Sequence, residues 1–193
     1  YDPNTGEYDD DPMFLINLGR TFVTKLIVPA LVPGKKSVTD PEVEWYRPID
    51  AGIGDTKAAF RQGMRLFIDY NKAQLAVLSS ACVSEENYDA EFAALAMSLD
   101  GELRWSKVYP AHECKGSHPY AFCQASDGEY VLGGHALENG WTESEQGPAG
   151  RALKINPSNG GITWETRFKQ PGLHMNTECY GVCLLNNCKG LLF

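Results

Sequence analysis

The chain has 193 residues, 17 basic and 25 acidic, and a formal net charge of −8. That balance excludes a nucleic-acid footprint, which needs clustered Lys and Arg on one surface. No apolar run approaches the roughly 18–20 residues of a membrane-spanning helix, so no membrane span is expected.

Residues 1–12, YDPNTGEYDDDP, are acidic, with two prolines and no apolar period, and read as an extended arm. The Asp2-x-Asn4 spacing suggests a calcium loop. An EF-type loop would want Gly and a bidentate Glu where Glu7 and Met13 stand. Calcium is therefore the one ion considered, and no other cofactor, metal or catalytic group is expected. The first residue is Tyr, so a removed leader or a longer parent chain is expected. Six cysteines outside CxxC pairs fit an oxidising compartment better than a zinc site. Together these features point to an extracellular or cell-surface location.

Strands are expected at Met13–Gly19, Thr21–Val28 and Glu42–Tyr46, which are rich in β-branched and aromatic residues. Ala58–Asp69 can be scored as an amphipathic helix. A strand near Met64–Ile68 is preferred, because the same slot recurs at Ala121–Ser126 and Tyr180–Leu185. Further strands follow at Gln74–Ser79, Phe92–Ser98 and Leu103–Tyr109, the last two joined at Asp100-Gly101, a two-residue hairpin signal. The pattern repeats at Tyr120–Ala125, Glu129–Gly134, Arg151–Ile155 and Ile162–Phe168, with turns at Asp127-Gly128 and Asn159-Gly160-Gly161. Trp45, Trp105 and Trp164 recur at intervals of 60 and 59 residues, each on the last strand of its unit. A fixed period of that size marks a repeat architecture. Four antiparallel strands per unit is the signature of a β-propeller blade.

The expectation is an all-β partial propeller over 13–193, with blade pieces 13–50, 51–110, 111–170 and 171–193. Three blade equivalents are fewer than the about four to eight that close a ring. The chain is therefore expected to belong to a larger propeller or assembly, with further blades or other protein chains as partners.

The phrases GRALKINPSNGGITWETRF and EFAALAMSLDGELRWSKVY resemble the Trp-containing repeat of the PQQ-like (quinoprotein-like) β-propeller superfamily. The segment QASDGEYVLGGHA is similar to repeats of secreted and surface propellers. In that repeat a strand, a Gly turn and a Trp dock adjacent blades, so the resemblance implies that Trp45, Trp105 and Trp164 are blade-docking residues. It also implies an alternative, a quinone-dependent or carbohydrate-active enzyme whose site lies outside this segment. The Glu, Asn and Asp that such enzymes use are not identifiable in this chain.

Cys114 and Cys123 are nine residues apart, as are Cys179 and Cys188, which suggests two local disulfides. Cys82 and Cys183 are then left over. His112, Cys114 and His118 lack the second ligand pair of a zinc site and read as a surface loop. Trp141, in the long polar loop 138–150, is the one Trp outside the repeat position and the candidate surface contact, for a glycan if there is one. The favoured reading is a non-enzymatic structural, adhesive or protein-interaction module; a glycan-binding propeller is the other alternative.

Overall fold

Successive residues of an extended strand point to opposite faces. In the stretch 90–98 both sets are apolar and mostly small: Phe92, Ala94 and Ala96 on one face, Ala93, Leu95 and Met97 on the other. A strand of that kind needs cover on both sides. In the computed structural model it has it. The structure describes residues 22–27, 42–49, 59–82, 90–111, 114–138, 149–168, 179–184 and 191–192.

These residues form twelve strands and no helix. A first pair joins β1 (Phe22–Ile27) to β2 (Glu42–Pro48). A four-stranded sheet follows in chain order: β3 (Ala59–Asp69), β4 (Gln74–Cys82), β5 (Ala90–Ser98) and β6 (Leu103–Tyr109). A second runs β7 (Cys114–Gln124), β8 (Tyr130–Glu138), β9 (Ala149–Ile155) and β10 (Ile162–Phe168). A short pair, β11 (Cys183–Leu184) and β12 (Leu191–Leu192), comes last. All pairings are antiparallel. The expected all-β chain of four-stranded antiparallel sheets is what forms, and Ala59–Asp69 is strand rather than helix.

The sheets lie face to face in the order β1–β2, β3–β6, β7–β10. On one side of the middle sheet, Leu75, Val77, Ala81, Ala93, Leu95 and Met97 meet Val23, Trp45 and Ile49. On its other side, Leu78, Phe92, Ala94, Trp105 and Tyr109 meet Tyr130, Leu132, Leu153 and Ile155. The alanines of β4 and β5 allow close approach of the layers. Larger side chains from the flanking sheets then fill the gaps.

The hairpin turns correct one expectation. Asp100-Gly101 belongs to a three-residue loop, not a two-residue one, and the turn at Asp127-Gly128 is a loop of the same kind. Ser98 N donates to Glu102 O at 2.7 Å and Gly101 N to Ser98 O at 3.1 Å. Ala125 N donates to Glu129 O at 2.8 Å and Gly128 N to Ala125 O at 2.9 Å. In each loop the Gly takes the left-handed backbone (φ 85° and 87°) that a third loop position demands. Both β3 and β7 carry two register shifts, and Pro119 sits at one of them on an edge strand, where its missing N–H does least harm. The arm 1–12, the strand expected at Met13–Gly19, Trp141 and Cys188 lie outside the described residues.

Because β5 is covered on both faces, Leu95→Ala should lower the unfolding free energy by about 2–5 kcal/mol. Leu66→Ala, at a position 52% exposed, should cost about 0.5 kcal/mol or less. Urea denaturation of the two variants measures the difference; equal losses would contradict the layered packing.

Candidate functional site

The most distinctive geometry is the contact between sheets. Trp45 projects from β2 onto the turn between β5 and β6. A Cβ built at Gly101 would stand 3.2 Å from Trp45 Cδ2 and Cε3. Trp105 projects from β6 onto the turn between β9 and β10, and a Cβ at Gly160 would stand 2.8 Å from its Cε3 and Cζ3. The same relation thus holds twice, one sheet further along. Glycine is needed at both turns for two reasons: φ is positive, 85° and 68°, and the indole occupies the space of a side chain.

The second contact is also hydrogen-bonded. Trp105 Nε1 donates to Pro157 O at 2.8 Å, and Tyr109 OH donates to Gly160 O at 2.9 Å. The turn itself is closed by Asn156 N to Gly161 O and Gly160 N to Asn156 O, both 2.8 Å. Trp164 holds the corresponding place on β10 but is 43% exposed, and Ile162 beside it is 48% exposed. The segment following β10 lies outside the described residues.

A buried polar network flanks the Trp105 contact. Asp69, at the end of β3, is 1% exposed. Its Oδ2 accepts from Tyr130 OH at 2.8 Å and Gln124 Nε2 at 3.2 Å, and its Oδ1 from Lys72 N at 3.1 Å. Gln74 Nε2 donates to Tyr130 OH at 2.7 Å and to Pro157 O at 2.9 Å, while Gln74 Oε1 accepts from Arg104 at 3.1 Å. A carboxylate removed from water is costly unless its lone pairs are satisfied. Here three donors satisfy it.

A second network is built on Arg151 of β9, which has no exposed surface. Its Nη1 donates to Tyr109 O at 2.8 Å and Ser117 Oγ at 2.9 Å, and its Nη2 to Pro110 O at 3.1 Å. Its Nε pairs with Glu165 at 3.0 Å, and Glu91 lies 3.8 Å from Nη1. Ser117 donates to Glu91 Oε2 at 2.6 Å, and Ala111 N donates to the same oxygen at 3.1 Å. The guanidinium also lies 4.9 Å from the centre of the Phe92 ring. Desolvation lowers the Arg151 pKa, and the carboxylates of Glu165 and Glu91 oppose that. Glu91, Ser117 and Arg151 come from β5, β7 and β9, so the cluster clamps one sheet to the next. Ser117 is fully buried and spends its hydroxyl in the clamp.

Of the residues singled out from the sequence, Trp45 and Trp105 meet Gly turns of the following sheet, and Trp164 faces outward. The expected Cys114–Cys123 disulfide does not form. Both residues lie on β7, and nine residues of extended chain span roughly 30 Å, far beyond disulfide reach. Cys123 and Cys179 are both outside disulfides, and the Cys179 thiol donates to Gly181 O at 3.1 Å. Cys188, the partner expected for Cys179, lies outside the described residues. Cys179 packs on Gly133, where a Cβ would stand 2.6 Å from its sulfur. His118 pairs across β7–β8 with His135, their rings 5.3 Å apart.

Arg151, Glu91 and Asp69 were not anticipated. Their signal is a charged residue inside an apolar run, where alternation would place it facing the core. No protein-family model matches the chain, and no curated protein matches it.

Burial raises the pKa of the Tyr109 phenol well above its ordinary 10.0. Burial does the same for Tyr130, and the Asp69 carboxylate adds to it. A raised folded pKa keeps its stabilising contribution below the unfolded value and loses it as pH rises. Unfolding free energy should therefore be insensitive to these groups below about pH 9. It should fall by about 1.4 kcal/mol per tyrosine for each pH unit above 10. Tyr109→Phe should flatten that fall by its own share in denaturant titrations between pH 9 and 11; an unchanged slope would contradict the assignment.

Proposed function

We propose that this chain is a run of blades from a β-propeller. On this reading it serves as a non-enzymatic, extracellular structural or protein-interaction module within a larger chain or assembly. The observation that carries the reading is the repeated docking of Trp on Gly. Trp45 meets Gly101 and Trp105 meets Gly160, each one sheet on, so successive sheets stack by one rule. A rule of that kind extends to further sheets without new chemistry.

Supporting it, each four-stranded sheet runs in chain order from edge to edge, as a propeller blade does. β7, the first strand of its sheet, packs on β3, the first strand of the sheet before. The buried side chains knit sheet to sheet and leave Trp164 outward, which is where an interaction module would meet its neighbour. The extracellular part of the reading rests on acidic composition and cysteine number alone.

Sedimentation equilibrium of native material tests the proposal. A module of a larger ring gives a particle heavier than the 21.3 kDa of these residues. A single 21.3 kDa species at micromolar concentration, stable and soluble, would overturn it.

A further inference from the structure

One cluster of metal-binding side chains lies apart from the contacts between β3–β6 and β7–β10. His118 on β7 is paired in register with His135 on β8. Alternation along β8 gives the pair its face. A Cβ built at Gly134 would stand 2.7 Å from Phe92 Cζ, so that position looks into the layer shared with β3–β6. A Cβ at Gly133 would instead meet Cys179 Sγ at 2.6 Å. His135 is two residues from Gly133 and shares its side of the strand, the side turned away from β3–β6. His118, opposite it in the ladder, shares that side as well. Ser117, one residue back, goes the other way, where its Oγ accepts from Arg151 Nη1 at 2.9 Å.

Two imidazoles thus stand side by side on adjacent strands, with ring centres 5.3 Å apart and planes tilted by 40°. The separation is the informative quantity. Imidazoles that share one tetrahedral ion at Zn–N distances of about 2.0–2.1 Å have their ring centres about 5 Å apart. The strands already stand at the spacing such a site needs, so rotation of the two side chains is the only change asked of the protein.

The surroundings suit a ligand pair. His135 is 2% exposed and is held against Tyr120, with ring centres 5.4 Å apart, which narrows the orientations of its ring. His118 is half-buried and leaves a route from solvent. Tyr120 stacks in turn on Tyr180 at 4.7 Å. Gly134 is paired with Pro119, which has no N–H to donate, and Gly134 O accepts from Cys179 N at 3.1 Å. The β7–β8 ladder is therefore short of a hydrogen bond beside the histidines, and an ion held across the strands ties them together there.

We propose that His118 and His135 are the protein ligands of a divalent transition-metal ion of the Zn²⁺, Ni²⁺ and Cu²⁺ class. Imidazole suits these ions, whereas calcium and magnesium take oxygen ligands. Among the described residues no group of three His, Cys, Asp or Glu forms a metal site. Two imidazoles are the protein's share, and water completes the coordination. Such an ion is a strut across one hairpin, adding stability as its concentration exceeds its dissociation constant. The site is built within β7–β8 and exists whether or not these sheets belong to a propeller.

A zinc titration of the full chain, labelled with nitrogen-15 at histidine, tests the site. The expected result is one saturable event below millimolar zinc, in which the ring nitrogens of His118 and His135 shift together, with excess calcium present. His118→Ala and His135→Ala should each lower zinc affinity by at least about 10-fold, since groups that merely orient a metal ligand are worth that much. His118→Ala removes a half-buried ring and leaves the buried one in place, so it carries the test where the His135 variant does not fold. Unchanged zinc affinity in folded His118→Ala, or shifts confined to other histidines, puts the ion elsewhere and overturns the proposal. Zinc titration without a saturable event overturns it too, and would mean that the two rings meet only as an aromatic contact beside Tyr120.

Discussion

An indole packed against a glycine sets the spacing of these sheets. At Gly160 the space a methyl group would fill is taken by Trp105, and the backbone there has a positive φ. The ring is thereby held at backbone distance, and its N–H can reach Pro157 O. Much else follows from that approach. The two sheets come close enough for alanines of β4 and β5 to suffice as core. Gln74 reaches the same carbonyl from beside Trp105. The tip of the Tyr109 side chain finds Gly160 O instead of being stranded in an apolar layer. A wide, rigid aromatic buries much area for two rotatable bonds, which is why Trp suits a contact that must recur.

The polar groups between the sheets act differently. Arg151, Glu91, Ser117 and Asp69 gain little net energy from burial, because desolvation offsets most of the attraction. Their effect is on register. Arg151 binds Tyr109 O and Pro110 O as well as two side chains, so a slip of one sheet over the other would strand a buried cation. The apolar layers favour stacking in general, while the clamp selects one stacking.

The fold was legible where two signals coincided. Strand alternation, a Gly in the turns after β5, β7 and β9 and Trp at one fixed place mark β4 to β6 and β8 to β10 in the sequence. The loop type at Asp100-Gly101 was not legible, because a two-residue and a three-residue loop both want Gly at that point and differ only in hydrogen bonding. The Cys114–Cys123 pair was misread for a related reason. A spacing of nine suggested a local bridge, but along one strand it separates the two residues instead of joining them. Alternation puts Arg151 on the side of Leu153 and Ile155, but the partners that make a buried cation tolerable there, Glu91, Ser117 and the carbonyls of Tyr109 and Pro110, come from distant parts of the chain. Contact of a Trp with a Gly turn of the following sheet is seen at Trp45 and Trp105.

The measurement closest to the central claim is a double-mutant cycle on Trp105 and Gly160. If the indole fills the place of the missing side chain, Gly160→Ala costs backbone strain and a clash with both Trp105 and the flexible Lys107 side chain, and loses the indole part of that clash when Trp105 is Ala. The account predicts a coupling energy of at least about 1 kcal/mol between the two changes in denaturant unfolding. Strictly additive costs would contradict it, and would mean that the sheets are held at their spacing by something other than this contact.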